Sequence, residues 1–477
     1  VNTADTTQQG WGQEPTMNAI ETVMWRAETD PTLKSTMIAL EVLDRAPEWA
    51  DFVATHERAV GAVPRLRQRV VEPPLGLAAP HWSTDPQFDL HFHLRRSTLP
   101  AGATWQGLFS AAEQIAMTPF DRARPPWEAT LVEGLPGGRA AYVLKLHHAS
   151  TDGAGTLQLM QVLHAAAPVA GRDGADDALP PAAPVTAWKA LGAQALDAAR
   201  STPSAARRGG DVASRVAASP GKALRDGLRY GLSLRRVLSP PPAAPSPLLV
   251  KRSVNWRYAA LDVDLASLRA AAKVAGGSLN DAYIAALLGG YRRYHEALGR
   301  PVRAIPMAIP ISVRRDGEGG GGNRFATARL AGPVGVIDAR ERIVAIGDLV
   351  RTARAEPALD NIAVLAPVLA RLPAPAIAQI AGGMGRSSDL QASNVPGSRE
   401  EVHLAGARVE RLYPFAPLPG CPAMITLVSH LDTCCIGVNY DAAAFTEGEL
   451  FLSCLEAGFT EVLALAGPDA GAATWLR

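Results

Sequence analysis

The stretch Tyr142–Met160, YVLKLHHASTDGAGTLQLM, constrains this chain more than any other. Tyr142–Leu146 is apolar, β-prone and about one strand long. Thr156, Leu157, Leu159, Met160 and Leu163 then recur at helical spacing. Between them lies HHASTDG, His147–Gly153, so two histidines sit where a strand ends and an aspartate sits where a helix begins. Histidine is the side chain whose ordinary pKa lies near neutrality, which suits a general base. A base must also be held in one direction, which takes polar support, and Asp152 can give it by tying the loop down. Gly153, lacking a Cβ, lets the chain turn into the helix. The competing reading is a buried histidine pair before a capped helix. The full pattern H-H-x-x-x-D-G arises by chance in on the order of one chain in a thousand at ordinary residue frequencies, so the catalytic reading leads.

HHASTDG resembles the active-site motif of acyltransferases with the chloramphenicol-acetyltransferase-like fold, which peptide-synthetase condensation domains share. The narrower resemblance is to bacterial wax ester synthase/diacylglycerol acyltransferases. Four further segments carry it: PFDRARPPWEATLVEGL (Pro119–Leu135), LNDAYIAALLGGYRRY, IPISVRRDGEGGGGNRF and SNVPGS (Ser393–Ser398). The family's P-L-W reads Pro125-Pro126-Trp127 here, and the last proline of its S-N-V-P-G-P is Ser398. The resemblance implies an α/β chain of two chloramphenicol-acetyltransferase-like sandwich domains joined by a long helical linker, with the active-site tunnel between them.

It also implies acyl transfer from acyl-CoA to a long-chain alcohol or to diacylglycerol. His148 is then the general base, and His147, Asp152 and Gly153 hold its loop. Asn280, Ser393, Asn394 and Gly397 are implied to contact substrate. Arg314 is implied as the salt-bridge partner of Asp152, and Trp127 as structural support beside the site. Acyl-CoA enters as substrate, and no cofactor is called for. Two other readings stay open: a condensation-type or polyketide-associated acyltransferase with a carrier-protein-bound donor, and a non-catalytic lipid-droplet or membrane-binding protein.

The chain's 477 residues suffice for two domains with proper cores. The expected division is 1–167 with the motif, an Ala/Pro-rich linker over 168–250, and 251–477. A net charge of +1 favours no nucleic-acid partner. The four cysteines lack metal-type spacing and read as small buried thiols of a reduced, cytoplasmic protein. The opening VNTADTTQQGWGQ lacks the pattern of a signal peptide, and Ile362–Gly385 is broken by Arg371 and three prolines, so no stretch reads as a membrane span. Any contact with the inner membrane or a lipid inclusion is then peripheral. A seat for it is offered by Arg200–Arg236, where nine basic residues stand against Asp211 and Asp226 and Leu224, Leu228 and Leu232 fall four apart; a linker helix packed on the protein with its arginines in water fits that segment equally well.

Other segments give expectations of their own. MNAIETVMWRAE reads as a helix with Ile20, Val23 and Met24 as its apolar positions. PEWADFVATHERAVGAVPRLRQRVVE reads as a helix ending before Pro73-Pro74. FDLHFHLRRSTL alternates as a strand with His91 and His93 on a wet face, too few ligands for a metal. Ser278 or Asn280 is expected to cap the helix that follows Gly276-Gly277.

Overall fold

The computed structural model describes residues 14–165, 184–194, 196, 243–312, 325–355, 366 and 369–476. The expected basic helix within Arg200–Arg236, the glycine loop Gly317–Asn323 and Arg314 all lie outside the described residues.

Two seven-stranded sheets organise these residues, with strand orders β4-β5-β6-β1-β13-β12-β7 and β10-β9-β11-β14-β15-β8-β16. In the first, β1 (Thr36–Leu43) lies between β6 (Ala140–His147) and β13 (Ala407–Phe415), antiparallel to both. β4 (Leu94–Thr98) and β5 (Trp127–Glu133) extend one side; β12 (His403–Leu404) and β7 (His164–Ala165) close the other. β12 and β13 come from the second half of the chain, which therefore completes the sheet that carries the histidine motif. The second sheet comprises β8 (Trp256–Asp264), β9 (Ile305–Ser312), β10 (Phe325–Gly332), β11 (Leu390–Val395), β14 (Ala423–His430), β15 (Thr433–Asp441) and β16 (Ala473–Trp475).

Every residue of β1 is buried, as a central strand covered on both faces must be. Its period of two splits the strand between two cores. Ile38, Leu40 and Val42 meet Leu108 and Phe109 of α4 (Trp105–Met117), together with Tyr258 and Phe415. Met37, Ala39 and Leu43 face α2 (Trp49–Ala62) and α5 (Gly153–Leu163). The second sheet packs its own helices, above all α6 (Leu279–Ala297) against α7 (Gly448–Leu463). The sheets themselves touch through backbone: a Cβ on Gly437 of β15 would stand 1.9 Å from Pro414 O of β13.

Several local expectations change. Helix α1 (Ala19–Ala27) forms, but it buries Glu21, Thr22, Trp25 and Arg26, leaving Ile20, Val23 and Met24 half-exposed. Its polar positions are buried because they have partners: Asn18 and Glu21 form a capping box, and Arg26 bonds Glu72 and three backbone carbonyls. Helix α2 ends at Ala62, not before Pro73, because Pro64 interrupts it, and Gln68–Val71 forms a short strand, β2, paired with β3 (His81–Thr84). The alternating FDLHFH segment is not a strand. Asp89 caps a single helical turn, α3 (Leu90–His93), which turns His93 inward. His93 is fully buried, stacked 4.5 Å from Trp127, with Nδ1 2.8 Å from Trp127 O.

Candidate active site

Strand β6 delivers the two histidines to the edge of the core in different states. His147 is fully buried and His148 half-buried. His147 Nδ1 accepts from the Ala149 N–H at 3.0 Å, so its ring proton sits on Nε2. That Nε2 lies 3.2 Å from Glu28 Oε1. The ring is held between Trp25 at 4.9 Å and Phe120 at 6.0 Å. His148 is tied by its backbone, its N–H donating to Ser35 O at 2.7 Å.

Glu28 joins these anchors, and sequence reading missed it. It lies just past α1, 119 residues before His147, with no local pattern to mark it. Its Oε1 also accepts from the Ser35 N–H at 2.7 Å, the residue whose carbonyl holds His148. Arg122, lying over the Trp25 ring, reaches the other oxygen at 3.5 Å. Burial alone would raise this carboxyl; His147, Ser35 and Arg122 outweigh it and hold it below the usual carboxylate range. One carboxylate therefore orients the first imidazole directly and the second through a peptide.

Asp152 is the N-cap of α5: its side chain accepts from the Gly155 N–H at 2.9 Å and its carbonyl from Thr156 N and Oγ1. Gly153 opens the helix. Arg314, the implied partner of Asp152, is outside the described residues. Trp127 is buried, its Nε1–H donating to Leu66 O at 2.7 Å, and it stacks on His93. Beside it in the chain, the Pro126 carbonyl accepts from the His147 N–H at 3.1 Å.

Among the described residues, the four implied for substrate fall in different places. Asn280 and Asn394 share a cavity of about 200 Å³ with Pro310, Leu330 and Arg354. Helix α6 is capped by Ser278, in a capping box with Asp281, so Asn280 is not the cap. Gly397 lines a separate cavity of about 300 Å³ under α5. Ser393 is half-buried on β11, paired with Thr426. All four cysteines are buried and unbridged, and burial pushes the Cys421 and Cys434 thiols up to about 12, so neither of these offers a thiolate nucleophile at neutral pH. Among the described residues no cluster of His, Cys, Asp or Glu could hold a metal ion, and no helix is long and apolar enough to cross a membrane.

Comparison with known families matches residues 17–283 to the wax ester synthase/diacylglycerol acyltransferase catalytic domain, and residues 321–462 to the C-terminal domain of the same family. A protein of Mycobacterium tuberculosis strain H37Rv, named as a candidate diacylglycerol O-acyltransferase, is 41% identical over 95% of this chain and 93% of its own. A second such protein of that strain is 29% identical over 95% of this chain and 98% of its own. Among solved structures, a wax ester synthase/diacylglycerol acyltransferase from Marinobacter aquaeolei VT8 superposes with a TM-score of 0.62 at 21% identity, covering 95% of this chain and all of that one. The first condensation domain of the CDA synthetase gives 0.58 at 15% identity, over 98% of this chain and all of that one. Those two likenesses concern the fold. The family matches and the 41% relative go further: this chain is an acyltransferase and belongs to the wax ester synthase/diacylglycerol acyltransferase family.

Proposed function

We propose that the chain transfers a fatty acyl group from acyl-CoA to a long-chain alcohol or to diacylglycerol, with His148 as general base. The observation that carries this is the unequal setting of the two histidines. His147 is sealed, its Nδ1 hydrogen-bonded to the Ala149 N–H and its Nε2 facing the Glu28 carboxylate, whereas His148 is half-buried and held by its backbone, the more open of the two.

A thioester is already activated, so no covalent enzyme intermediate is needed. The His148 ring takes the proton from the acceptor hydroxyl as that oxygen attacks the thioester carbonyl. The tetrahedral intermediate then collapses, the carbon–sulfur bond breaks, and the imidazolium returns the proton to the departing CoA sulfur. Glu28 and Ser35 keep both rings in place through the cycle, and Asp152 fixes the start of α5 against the loop. General-base help is worth roughly 10²–10⁴-fold; juxtaposing two apolar substrates contributes much of the rest.

His148→Ala should cut ester formation from palmitoyl-CoA and hexadecanol by about 10²–10⁴-fold while the far-ultraviolet circular dichroism stays unchanged. Retention of most of the activity assigns the base elsewhere. Faster turnover with an acyl-carrier protein than with the same acyl-CoA would favour a carrier-bound donor.

Peripheral contact with a lipid surface belongs to the same reading. Leu75, Leu77 and Trp188 are 94%, 68% and 72% exposed. The loop bearing the two leucines adjoins the helical segment 187–194, because the Gln194 amide bonds both backbone groups of Ala79. Large apolar side chains exposed on adjoining segments suit shallow insertion beneath lipid headgroups. Changing Leu75, Leu77 and Trp188 to Asp should abolish flotation with phosphatidylglycerol-containing liposomes. If charge reversal of Arg225, Arg229, Arg235 and Arg236 does so instead, the basic segment is the contact.

A further inference from the structure

The cavity under α5 holds a feature the acyl-transfer step does not use. Its floor is β1 and β13, with Glu41 and Leu412; Leu157 and Met160 of α5 form its roof, and Val395 and Val402 stand at one side. Gly397 anchors that side: a Cβ there would fall 1.9 Å from Ser429 O, so loop and β14 are in backbone contact. Glu41 lies five residues along β1 from Thr36, the residue paired with His147. At ~3.4 Å per residue this puts Glu41 roughly 17 Å along the strand from the position paired with His147.

Glu41 is fully buried on β1, paired with Tyr142 on one side and Leu412 on the other. One oxygen is satisfied, Oε1 standing 2.7 Å from His164 Nε2. Oε2 is buried and has no hydrogen-bond partner among the described residues. The other imidazole of the lining, His430, uses its Nε2 on Val409 O at 3.0 Å. A buried acceptor left unmade costs about 1–3 kcal/mol, so a ligand that brings a donor is preferred to an isostere that does not. An anionic headgroup is repelled by the carboxylate; Gln158, Gln161 and Ser398 also line the cavity, and Leu157, Met160, Val395 and Val402 form its apolar part.

We propose that this cavity is a second binding site, distinct from the reacting position at His148, for a neutral aliphatic alcohol whose O–H donates to Glu41 Oε2 while its chain lies among Leu157, Met160, Val395 and Val402. The choice of an alcohol, rather than another neutral donor on an aliphatic chain, rests on the acyltransferase reading. The demand for a donor rests on Glu41 alone.

Calorimetric titration of the full chain with 1-decanol, methyl nonyl ether and decanoate tests it. The ether matches the alcohol in length and lacks the donor; decanoate carries the excluded charge. Decanol should bind at least about tenfold more tightly than either. Glu41→Leu should erase the alcohol-over-ether preference. Leu157→Trp, which fills the cavity and leaves the carboxylate untouched, should remove one decanol from the stoichiometry and decides the matter should Glu41→Leu not fold. Equal binding of alcohol and ether to the unaltered chain, decanoate binding as tightly as decanol, or an undiminished preference and stoichiometry in the variants overturns the proposal. Ester formation is scored separately: its absence sinks the acyl-transfer reading and leaves the decanol result to stand or fall on its own.

Discussion

Glu28 carries more of the candidate site than its place in the chain suggests. Its carboxylate touches His147 and the Ser35 N–H, and Ser35 in turn holds His148. Glu28→Gln keeps the shape but loses the charge that faces Nε2 of His147. The expected outcome is a fall in kcat of about tenfold or more with little change in KM, since a positioning fault acts on the reacting geometry rather than on substrate uptake. The acid limb of the pH–rate profile should also shift; an unchanged kcat and profile would reduce Glu28 to a packing role. Asp152→Ala removes an N-cap acceptor and should cost about 1 kcal/mol of stability by denaturant unfolding, whereas Asp152→Asn, an equally good cap, should cost less. At this scale legibility is uneven. HHASTDG could be read because strand, loop and helix signals are contiguous. Glu28 could not, because only the fold brings it across 119 residues to His147. His93 was misread because two alternating histidines imitate a strand face, and nothing local says that Asp89 will cap a helical turn there.

Elements meet in this protein through places with no room for a side chain. Gly437 of β15 lies against Pro414 of β13, where the two sheets are in backbone contact. Gly437→Ala should therefore lower the melting temperature markedly, since a Cβ 1.9 Å from a carbonyl oxygen forces the sheets apart. Gly61, exposed in α2 with nothing within 4 Å of where a methyl would sit, is the counterpart. Gly61→Ala should stabilise by roughly 0.5–1 kcal/mol through helix propensity alone. Thermal melts of the two variants beside the parent test both signs at once. Most helices and strands could be read from apolar periodicity. The partners of β13 could not: ARVERLYPFAPL looks like any half-buried strand, and its place beside β1 is set by which edge the first half leaves open.

Across the whole molecule, buried imidazoles set the response to acid. Burial pushes His56 and His93 from 6.5 down to about 4, and it lowers His81, His295 and His430 as well. The unfolded chain takes up these protons near pH 6.5, whereas folded His56 and His93 do so only near 4, so the stability this pair confers is present above pH 6.5 and drains away as pH falls to 4. Asp389 has the opposite sign: burial raises it from 3.8 to about 6, so the folded state binds its proton first and is relatively favoured on acidification. Burial raises Glu113 as well, so two carboxyls oppose five imidazoles, and Glu28, Glu133 and Glu461, held low, add to the loss on acidification. Melting temperatures recorded from pH 7.5 to 4.5 should fall steadily below about 6.5, and a flat profile would contradict the balance. The pairing of β1 with β13 has a further consequence, for synthesis. A ribosome must release residues up to Phe415 before the middle strand of the first sheet acquires its second neighbour. Until then one long apolar border stays open to any passing strand. Expressing residues 1–245 alone should give inclusion bodies, and supplying the remainder as a separate polypeptide in the same cell should rescue them.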